Sequence, residues 1–425
     1  MLQRICFREM RISLNQSFIR NNNKGILLSH VNISTKSCIF NLHAYNTPSI
    51  KCYHDWNACR KDHSPNFSGF AHLENSNYLN NTIDPPRNIV YSERGLQEEE
   101  FYDNTEDGKD SKKKFILING ADIAAELREE IKREIEELVE IQKLGGTQTN
   151  EILKPGLAVV MVGSRKDSKS YVDMKEQACI DVGINSFKIH FPEDVTEKEL
   201  IQTVQKLNKD PRVHGILIQL PLPAHLNEET ILENICISKD VDGLTSYSMG
   251  KLSMKGRTLV DGVNFVPCTS LGVLELIRRT AFKLNRNLEG IDALVIGTSN
   301  IVGIPTALLL LNHLQTSIQM AHIKSQDIPE KVKKADLLIV STGCAEMIQP
   351  EWIKPGAIVI DVGQSPVEDA TSERGYRMVG DVKFDDTLKK RAAAATKVPG
   401  GVGPMTITML LRNTLQSFKA KNPHT

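Results

Sequence analysis

The chain has 425 residues, 40% of them hydrophobic, which is enough for two or three domains with cores of their own. Its 52 basic and 52 acidic side chains cancel, so we expect neither nucleic acid nor a strongly charged surface as a partner. No stretch approaches the ~18 apolar residues of a membrane span, so no membrane partner is expected. The eight cysteines are scattered, which favours reduced thiols over a disulfide framework.

Residues 1–113 read as an extension rather than a domain. They are rich in Asn, Ser and His, and residues 10–54 contain no Asp or Glu. Arg4, Arg8 and Arg11 fall on one face of a helix, a pattern typical of an organellar transit peptide. We therefore predict import, with the mitochondrion first and a plastid or another organelle as the alternative. A low-complexity disordered extension remains the other interpretation.

Two further features of the extension do not predict a functional site. A Cys/His cluster matches no zinc module in its spacing, so we expect no metal site; its members are Cys52, His54, Cys59 and His63. Residues 98–110 are acidic and lack a periodic apolar pattern, which predicts a linker.

From residue 114 the predicted elements alternate between strand and helix. A strand at 115–118 and an amphipathic helix at 122–144 come first. Strands then follow at 157–162, 187–190 and 215–220, and helices at 171–182, 196–207 and 227–234. Thr196 and Glu199 have the spacing of a capping box at the start of one helix. This alternation predicts an α/β domain over 114–265, built on a parallel sheet.

A second α/β domain is predicted over 266–404. It opens with a helix at 270–279 and continues with strands at 293–296, 317–322, 337–341 and 357–362. A closing helix at 405–419 returns to the first domain. The fold class is therefore α/β with two domains, an N-terminal catalytic domain and a Rossmann-like dinucleotide-binding domain, with a cleft between them.

The first strand of the second domain leads into a turn that can hold phosphate. The turn comprises Gly297, Thr298, Ser299, Asn300, Ile301, Val302 and Gly303, and an apolar helix is predicted after Pro305. Free N–H groups and the helix dipole favour an anion at such a helix start. The spacing resembles the dinucleotide fingerprint, although Ser299 replaces the second Gly and the last Gly is one place late. An ordinary tight turn is the alternative.

Four side chains stand where acid–base chemistry and ligand binding are plausible. Tyr171 and Lys175 are four residues apart, on one face of a helix, and an amine and a phenol there can handle a proton. Gln219 ends a buried strand, where α/β sites form. Asp242 lies in a tight Asp-Gly loop and can make a bidentate contact with an amidine-like heterocycle. Solvated or purely structural roles remain open for each of them.

The segment 399–405 is rich in Gly and Pro and precedes a helix. It contains Pro399, Gly400 and Gly401, and it offers N–H groups at a helix start beside the site. A rigid turn is the alternative. The Tyr-x-x-x-Lys spelling also occurs in short-chain dehydrogenases, but there the pair follows the nucleotide fingerprint, whereas here it precedes it.

Taken in order, the motifs YVDMK, GILIQLPLP, KDVDG, VPCT, VIGTSNIVG, GAIVIDVG, GDV and VPGGVGPMT resemble the bifunctional methylenetetrahydrofolate dehydrogenase/cyclohydrolase family. The resemblance covers about residues 114–419. It implies oxidation of 5,10-methylenetetrahydrofolate with NAD(P) and hydrolysis of the methenyl product to 10-formyltetrahydrofolate. It also implies a homodimer and no metal for hydride transfer.

The resemblance implies a role for each candidate residue. Lys175 would assist proton transfers, Tyr171 would stack on the folate, Gln219 would position Lys175, and Asp242 would bind the pterin. Pro399, Gly400 and Gly401 would lie beside folate and nicotinamide, and the turn 297–303 would hold the cofactor diphosphate. A catalytically silent folate- or nucleotide-binding scaffold is the alternative, and retention of all four polar residues argues against it. An unrelated NAD-dependent dehydrogenase would leave Gln219 and Asp242 unexplained.

Departures from the family pattern bear on the cofactor. Thr298 and Ile323 stand where some relatives carry the Arg and Ser that bind the 2′-phosphate of NADP. No carboxylate follows the strand 317–322 until Asp327, and His322, Lys324 and Ser325 can supply charge and a hydroxyl donor. We therefore expect NADP, with NAD possible. Two more departures flank the cofactor: Lys397 replaces a Pro, and Gln364-Ser365 replaces Ile-Asn.

Overall fold

A computed structural model describes residues 11–16, 29–35, 38–43, 51–53, 91–104, 110–144, 152–254, 264–372 and 375–423. The chain divides into two compact units, Met1–Glu74 and Asn75–Thr425. In the first unit, β1 (Arg11–Gln16), β2 (Ser29–Thr35), β3 (Cys38–His43) and β4 (Lys51–Tyr53) pair antiparallel in that order. The sequence pattern did not predict these strands, and its assignment of Arg11 to a helical face is wrong, since Arg11 is the first residue of β1. Arg4, Arg8 and most of the Cys/His cluster lie outside the described residues.

The first half of the second unit starts with a strand pair and continues with alternating elements. These are β5 (Leu96–Asn104), β6 (Asp110–Ile118), α1 (Gly120–Leu144), β7 (Gly156–Val162), α2 (Lys166–Val182), β8 (Asn185–Phe191), α3 (Glu197–Lys209), β9 (Gly215–Ile218), α4 (Glu228–Glu233) and α5 (Ser246–Leu252). Strands β8, β7 and β9 form a parallel sheet in that order. The central strand β7 is buried along its length, which its continuous apolar run requires. The predicted capping box of Thr196 and Glu199 is present at the start of α3.

The second half carries the larger sheet. Its elements are α6 (Cys268–Lys283), β10 (Asp292–Ile296), α7 (Gly303–His313), β11 (Ser317–Ala321), α8 (Ile328–Val332), β12 (Leu337–Val340), β13 (Ile358–Asp361), β14 (Ser365–Glu368), β15 (Tyr376–Val379), α9 (Asp386–Arg391), β16 (Ala394–Thr396) and α10 (Val402–Lys421). Seven strands follow the order β11-β10-β12-β13-β16-β6-β5, and all neighbours are parallel except β5 and β6. The chain leaves β10 first to one side and then to the other. The ends of β10 and β12 therefore form the switch point where such sheets bind ligands.

The predicted linker over 98–110 is wrong for the residues of β5. Leu96–Asn104 pairs antiparallel with β6 and forms the edge of the large sheet. Its acidic side chains meet lysines: Glu98 lies 3.1 Å from Lys114, and Glu99 lies 2.8 Å from Lys389. Charged side chains on an edge strand prevent pairing with another sheet edge. They also replace the apolar positions from which a strand would be predicted. The strand predicted at 115–118 is confirmed as the end of β6, but it belongs to the large sheet rather than the small one.

Helix α10 crosses from the large sheet back to the small one. It packs on α1 and α6, and its apolar face is buried. Ser417 Oγ lies 2.6 Å from the carbonyl oxygen of His214 and 2.8 Å from that of Ser238, so its single proton is shared between these two acceptors. The two-sheet α/β architecture predicted from the sequence is confirmed, while the exact domain boundaries at 113, 265 and 404 stay predictions. Within the described part of the chain, no helix has the length and apolarity to span a membrane.

Candidate active site

A cleft of about 830 Å³ lies among elements of both sheets. It is lined by one face of α2, the residues after β9 and β13, the loop before α5 and the start of α10. It brings together seven residues that the sequence predicted for catalysis and substrate binding: Tyr171, Lys175, Gln219, Asp242, Pro399, Gly400 and Gly401. From the predicted cofactor residues it includes Ile301 and Val302.

Lys175 stands on the cleft face of α2 and is nearly buried, with 7% of its surface exposed. Its Nζ donates to Gln219 Oε1 at 2.8 Å. The other end of that amide, Gln219 Nε2, donates to the carbonyl oxygen of Leu220 at 2.9 Å. The second bond fixes the amide so that its oxygen faces the amine, since the nitrogen end cannot accept. Gln219 itself lies one residue beyond the end of β9, although the strand was predicted to reach 220.

The electrostatics of Lys175 are set by burial and by Asp242. Burial lowers the pKa of Lys175, and the Asp242 carboxylate opposes part of that fall. Burial also raises the pKa of Asp242, and Lys175 opposes that rise. An amine whose charged form is disfavoured by burial and favoured by a nearby carboxylate is suited to gain and lose a proton. The arrangement therefore suits proton transfer at the floor of the cleft.

The structure separates the roles of the two carboxylates in the Asp-Val-Asp-Gly loop. Asp240 is buried and accepts four hydrogen bonds, from Leu244 N (3.1 Å), Thr245 N (3.1 Å), Thr245 Oγ1 (2.8 Å) and Ser248 Oγ (2.8 Å). It therefore holds the start of α5. Asp242 instead lines the cleft, and Gly243 turns the chain with φ +69°. Asn413 of α10 supports the loop by donating to the Val241 carbonyl at 2.8 Å.

Tyr171 makes a contact that spans the cleft. Its hydroxyl donates to Gln364 Oε1, in the loop between β13 and β14. Helix α2 belongs to the small sheet and Gln364 to the large one, so this bond joins the two sides. Gly403 lies close to the same hydroxyl, since a Cβ atom there would be 3.6 Å from the Tyr171 oxygen. The sequence showed Gln364 only as a departure beside the cofactor and did not predict its contact with Tyr171.

The Gly-rich loop before α10 rests on the first turn of α1. Ala121 N donates to the Gly400 carbonyl at 2.9 Å. A Cβ atom on Gly120 would lie 1.9 Å from the Gly401 oxygen, so no other residue fits there. Gly400 has φ +101°, a conformation that L side chains rarely adopt. The loop therefore forms a close-packed wall of the cleft.

The turn after β10 has the tightness that a phosphate site needs. Gly297 has φ +132°, and a Cβ atom there would lie 2.3 Å from Ser341 Oγ. A Cβ atom on Gly303 would lie 2.1 Å from the Gly297 oxygen. Ser299 Oγ accepts from Val302 N (3.1 Å) and Gly303 N (3.4 Å). Helix α7 begins at Gly303, earlier than predicted, because the turn itself supplies its first N–H groups.

The end of β11 adjoins this turn, since Gly297 N donates to the Ala321 carbonyl at 2.8 Å. His322 N donates to Ser325 Oγ (3.0 Å) and Lys324 N donates to His322 Nδ1 (3.0 Å), which makes a compact turn. Thr298 and Lys324 thus lie near each other at the switch point. Neither of them lines the 830 Å³ cleft that holds Lys175, whereas Ile301 and Val302 of the same turn do.

A pair of buried aspartates was not predicted from the sequence. Asp361 accepts from Gly363 N (2.9 Å), Asp381 N (3.0 Å) and Val382 N (2.8 Å), and burial raises its pKa to about 7. Asp381 accepts from Thr342 Oγ1 (2.9 Å) and Gly343 N (3.0 Å). Together they tie the loops after β12, β13 and β15 at the edge that faces the cleft. Their signal in the sequence is an Asp at or just after the end of an apolar strand.

No cluster of three or more His, Cys, Asp or Glu side chains that could hold a metal ion occurs among the residues that the structure describes. Cys268 lies close to Asp242, and burial raises its pKa well above the usual value. It is therefore a thiol, and it donates to the Val241 carbonyl with Sγ and O 3.2 Å apart.

Comparison with known proteins agrees with this geometry. Residues 118–242 match the catalytic domain of tetrahydrofolate dehydrogenase/cyclohydrolase, and residues 267–422 match its NAD(P)-binding domain. Bifunctional protein FolD 2 of Arabidopsis thaliana is 49% identical over 303 residues, which are 71% of this chain and 95% of that protein. Bifunctional protein FolD of Listeria innocua is 45% identical over 303 residues, 71% of this chain and 97% of that protein.

Solved structures lead to the same family. The crystal structure of a methylenetetrahydrofolate dehydrogenase-cyclohydrolase of Trypanosoma brucei, complexed with NADP and an inhibitor, has a TM-score of 0.66 at 36% identity and covers 73% of this chain and 99% of its own. The bifunctional FolD of Campylobacter jejuni has a TM-score of 0.62 at 40% identity, covering 72% and 99%. With both domains matched in sequence and in fold, the chain belongs to the tetrahydrofolate dehydrogenase/cyclohydrolase family.

Proposed function

We propose that this chain oxidises 5,10-methylenetetrahydrofolate to 5,10-methenyltetrahydrofolate with NADP⁺ and hydrolyses the product to 10-formyltetrahydrofolate. The observation that carries the proposal is the buried amine of Lys175, hydrogen-bonded to Gln219 and facing Asp242 in a cleft beside a dinucleotide turn. The bifunctional relatives support both activities.

Two side chains and one main-chain segment would orient the folate. Asp242 accepts from the ring N–H and exocyclic amine of the pterin, a pairing that a carboxylate makes in bidentate fashion. Tyr171, held by Gln364, packs on the face of the substrate. Pro399, Gly400 and Gly401 bring the main chain close enough to exclude water from the other side. These contacts would bring the one-carbon bridge close to Lys175.

The hydrolysis needs a group that moves protons. Water adds to the methenyl carbon, and neutral Lys175 accepts the proton that this water loses. The adduct then breaks its carbon–N5 bond while Lys175 returns that proton to N5, and the hydroxyl proton leaves to solvent as the formyl group forms. Burial of Lys175 keeps its neutral form available, and Gln219 holds the amine in place during both transfers.

The residues at the switch point fit NADP. Gly297 and Gly303 let the main chain approach a diphosphate, with Thr298, Ser299, Ile301 and Val302 between them. When bound, NADP⁺ accepts the hydride from the one-carbon unit. His322, Lys324 and Ser325 follow β11, at the position from which such a domain contacts the adenosine ribose and its 2′-phosphate. A relative whose structure contains NADP supports this choice, and NAD remains the second candidate.

Substitution of Lys175 tests the proposal. We expect Lys175→Met to lower cyclohydrolase kcat by about 10²- to 10⁴-fold, the typical contribution of a general acid–base group, and to reduce dehydrogenation as well. Lys169→Met is the matched control, because Lys169 is exposed on the same helix. Hydrolysis of methenyl substrate at the wild-type rate by the Lys175 variant would overturn the assignment.

The cofactor preference has its own test. We expect NADP to be preferred over NAD, by less than in relatives that carry Arg at the position of Thr298, because Lys binds phosphate with less specific geometry than Arg. Lys324→Ala should shrink the ratio of kcat/KM for the two cofactors, and Thr298→Arg should enlarge it. An enzyme that prefers NAD and is unchanged by Lys324→Ala would contradict this interpretation of the β11 end.

We also propose that the protein is a homodimer in an organelle, with the mitochondrion as the first candidate. The acid-poor, arginine-bearing residues 1–54 support import. Arabidopsis relatives named as mitochondrial (45% identical) and chloroplastic (46% identical) FolD proteins support an organelle and leave its identity to experiment. Light scattering of the purified protein measures the oligomeric state, and a monomer at micromolar concentration would refute the dimer.

A further inference from the structure

The first turn of α6 contacts both the loop that carries Asp242 and the turn 297–303. Cys268, the first residue of the helix, contacts the loop, with its Sγ 3.2 Å from the Val241 carbonyl oxygen. Ser270, two residues further along the same turn of helix, contacts the turn 297–303. A single helical turn therefore touches both of the regions to which the proposed function assigns a ligand.

Ser270 is fully buried, and its hydroxyl belongs to a chain of two hydrogen bonds. Its Oγ donates to the carbonyl oxygen of Val302 at 3.2 Å and accepts from Thr306 Oγ1 at 2.9 Å. Thr306 is also buried and lies in the first turn of α7. Because a hydroxyl has one proton to donate, the bond from Thr306 leaves the proton of Ser270 for Val302.

Val302 is the residue of the turn 297–303 that both lines the cleft and directly precedes α7. Its N–H donates to Ser299 Oγ at 3.1 Å, and its carbonyl oxygen accepts from Thr306 N at 3.0 Å. These two bonds are internal to the turn and its helix. The bond from Ser270 instead ties Val302 to a separate element of the fold.

The start of α6 is itself held in place by α10, which packs along it. Asn413 Nδ2 of α10 donates to the Val266 carbonyl at 3.3 Å, and Thr406 Oγ1 lies 3.2 Å from Thr269 Oγ1. Because these contacts fix the helix on both sides of its first residue, the bond from Ser270 constrains the position of the turn rather than that of α6.

We propose that Ser270 is a positioning residue for the cofactor, because through Val302 it fixes the turn 297–303 that would hold the cofactor diphosphate. This inference rests on the proposed function for the identity of the cofactor. Hydrogen bonds weaken steeply when their angle or length changes, so a turn free to shift would bind an anion less well. Hydrolysis of the methenyl substrate uses no nicotinamide cofactor and should not depend on this bond.

The test measures cofactor binding by isothermal titration calorimetry with NADP⁺ and compares it with cyclohydrolase activity. We expect Ser270→Ala to raise the Kd for NADP⁺ by about 2- to 10-fold, the effect of one neutral hydrogen bond. The kcat and KM for hydrolysis of methenyltetrahydrofolate should stay within about twofold of the wild-type values. Thr306→Val should raise the Kd by less, because Ser270 can still donate to Val302 in that variant.

Thr280→Val is the matched control, because it also removes the hydroxyl of a buried residue on α6. Thr280 Oγ1 donates to the Leu276 carbonyl at 2.7 Å, within the helix, and Thr280 does not line the cleft. We expect this variant to bind NADP⁺ with the wild-type Kd.

Three results would overturn the inference: an unchanged Kd in Ser270→Ala, the same rise in Thr280→Val, or a loss of hydrolysis in Ser270→Ala equal to its loss of NADP⁺ binding. A wild-type protein that neither binds NADP⁺ nor hydrolyses the methenyl substrate would instead refute the proposed function. Retained hydrolysis by Ser270→Ala shows that the variant is folded.

Discussion

A buried lysine is useful for proton transfer when its charged and neutral forms have similar free energies. Burial of Lys175 disfavours the ammonium, while Asp242 favours it, and the Gln219 oxygen accepts from either form. For Asp242 the two effects have the opposite sign: burial disfavours the charged carboxylate and raises its pKa, while the Lys175 ammonium favours it. At the scale of single residues, the site is therefore a balance between desolvation and one charge pair.

The contact between Tyr171 and Gln364 is the second residue-level feature with consequences. Gln364 stands where the family pattern has Ile, and it gives the Tyr171 hydroxyl an acceptor across the cleft. We expect Gln364→Ile to raise KM for methylenetetrahydrofolate by about 2- to 10-fold, the effect of one neutral hydrogen bond, with little change in the KM for NADP.

A double-mutant cycle with Tyr171→Phe checks this prediction. Because both substitutions remove the same bond, the effect of Gln364→Ile on KM should largely disappear in the Tyr171→Phe background. Additive effects would mean that Gln364 acts on the substrate or cofactor without Tyr171.

Some site residues can be predicted from local sequence pattern and others cannot. Lys175 and Gln219 were identified because a helix face and a strand end are positions readable from local pattern. Gln364 and Asp361 were not, because each acts through a partner that only the packing of distant segments brings close. Residues 171 and 364 are separated by 193 positions, and no local pattern encodes that contact.

At the scale of elements, the start of β9 and helix α10 are joined through His214. Its Nδ1 accepts from Gly156 N at 3.1 Å, and its ring meets Phe418 edge to face at 4.9 Å. The side chain is buried, and burial lowers its pKa from the usual 6.5 to about 4. The folded state therefore requires the neutral imidazole.

This arrangement predicts a pH dependence of stability. As the pH falls from about 6.5 towards 4, the unfolded chain takes up a proton at His214 before the folded protein does, so the free energy of unfolding decreases. From pH 7 to pH 5 the loss should be about 2 kcal/mol. Urea unfolding at the two pH values measures it. In His214→Asn, whose Oδ1 can still accept from Gly156, that part of the loss should vanish; an identical pH dependence in both proteins would contradict the prediction.

Element boundaries show which signals were misread. Helices α2 and α10 begin at Lys166 and Val402, ahead of the predicted starts at 171 and 405. Their first turns carry Lys, Asp, Ser, Gly and Pro, so no apolar period marks them. Strand β5 was missed for a related reason, because its acidic residues pair with lysines of other elements and leave no alternation of apolar and polar positions. Where apolar periodicity was present, as in β7 and α1, the prediction was confirmed.

At the scale of the whole molecule, the cleft depends on helix α10, which carries the chain from the large sheet back to the small one. Helix α10 starts at the Gly-rich wall of the cleft, packs on α6 of the large-sheet side, and ends with Ser417 bonded to the loop carbonyls of the small-sheet side. Strand β6 makes the opposite connection, since it pairs in the large sheet and leads directly into α1. The cleft is thus bounded by segments that cross between the two sheets. These segments fix the position of Lys175 relative to the turn 297–303.

The same architecture corrects how much of the N-terminal extension is dispensable. The sequence pattern assigned residues 1–113 to an extension, but β5 closes the edge of the large sheet and Glu93 and Glu98 bind Lys283 at 2.6 and 2.9 Å. We expect a chain beginning at residue 88 to keep full dehydrogenase activity. A chain beginning at residue 112 loses β5 and the start of β6, and its Tm should be lower by roughly 4 °C or more, as for a loss of at least about 2 kcal/mol.

We propose that the extension directs import, a role separate from folding. We expect the full-length protein to enter isolated mitochondria and to become protected from added protease, whereas the chain beginning at residue 88 stays outside although it is active. Substituting Arg4, Arg8 and Arg11 together by Gln should reduce import without changing kcat, because the positive face of a transit peptide acts before folding. Parallel import into chloroplasts distinguishes the plastid alternative. Equal import of the full-length and shortened chains, or of neither, would show that residues 1–87 do not address the protein to these organelles.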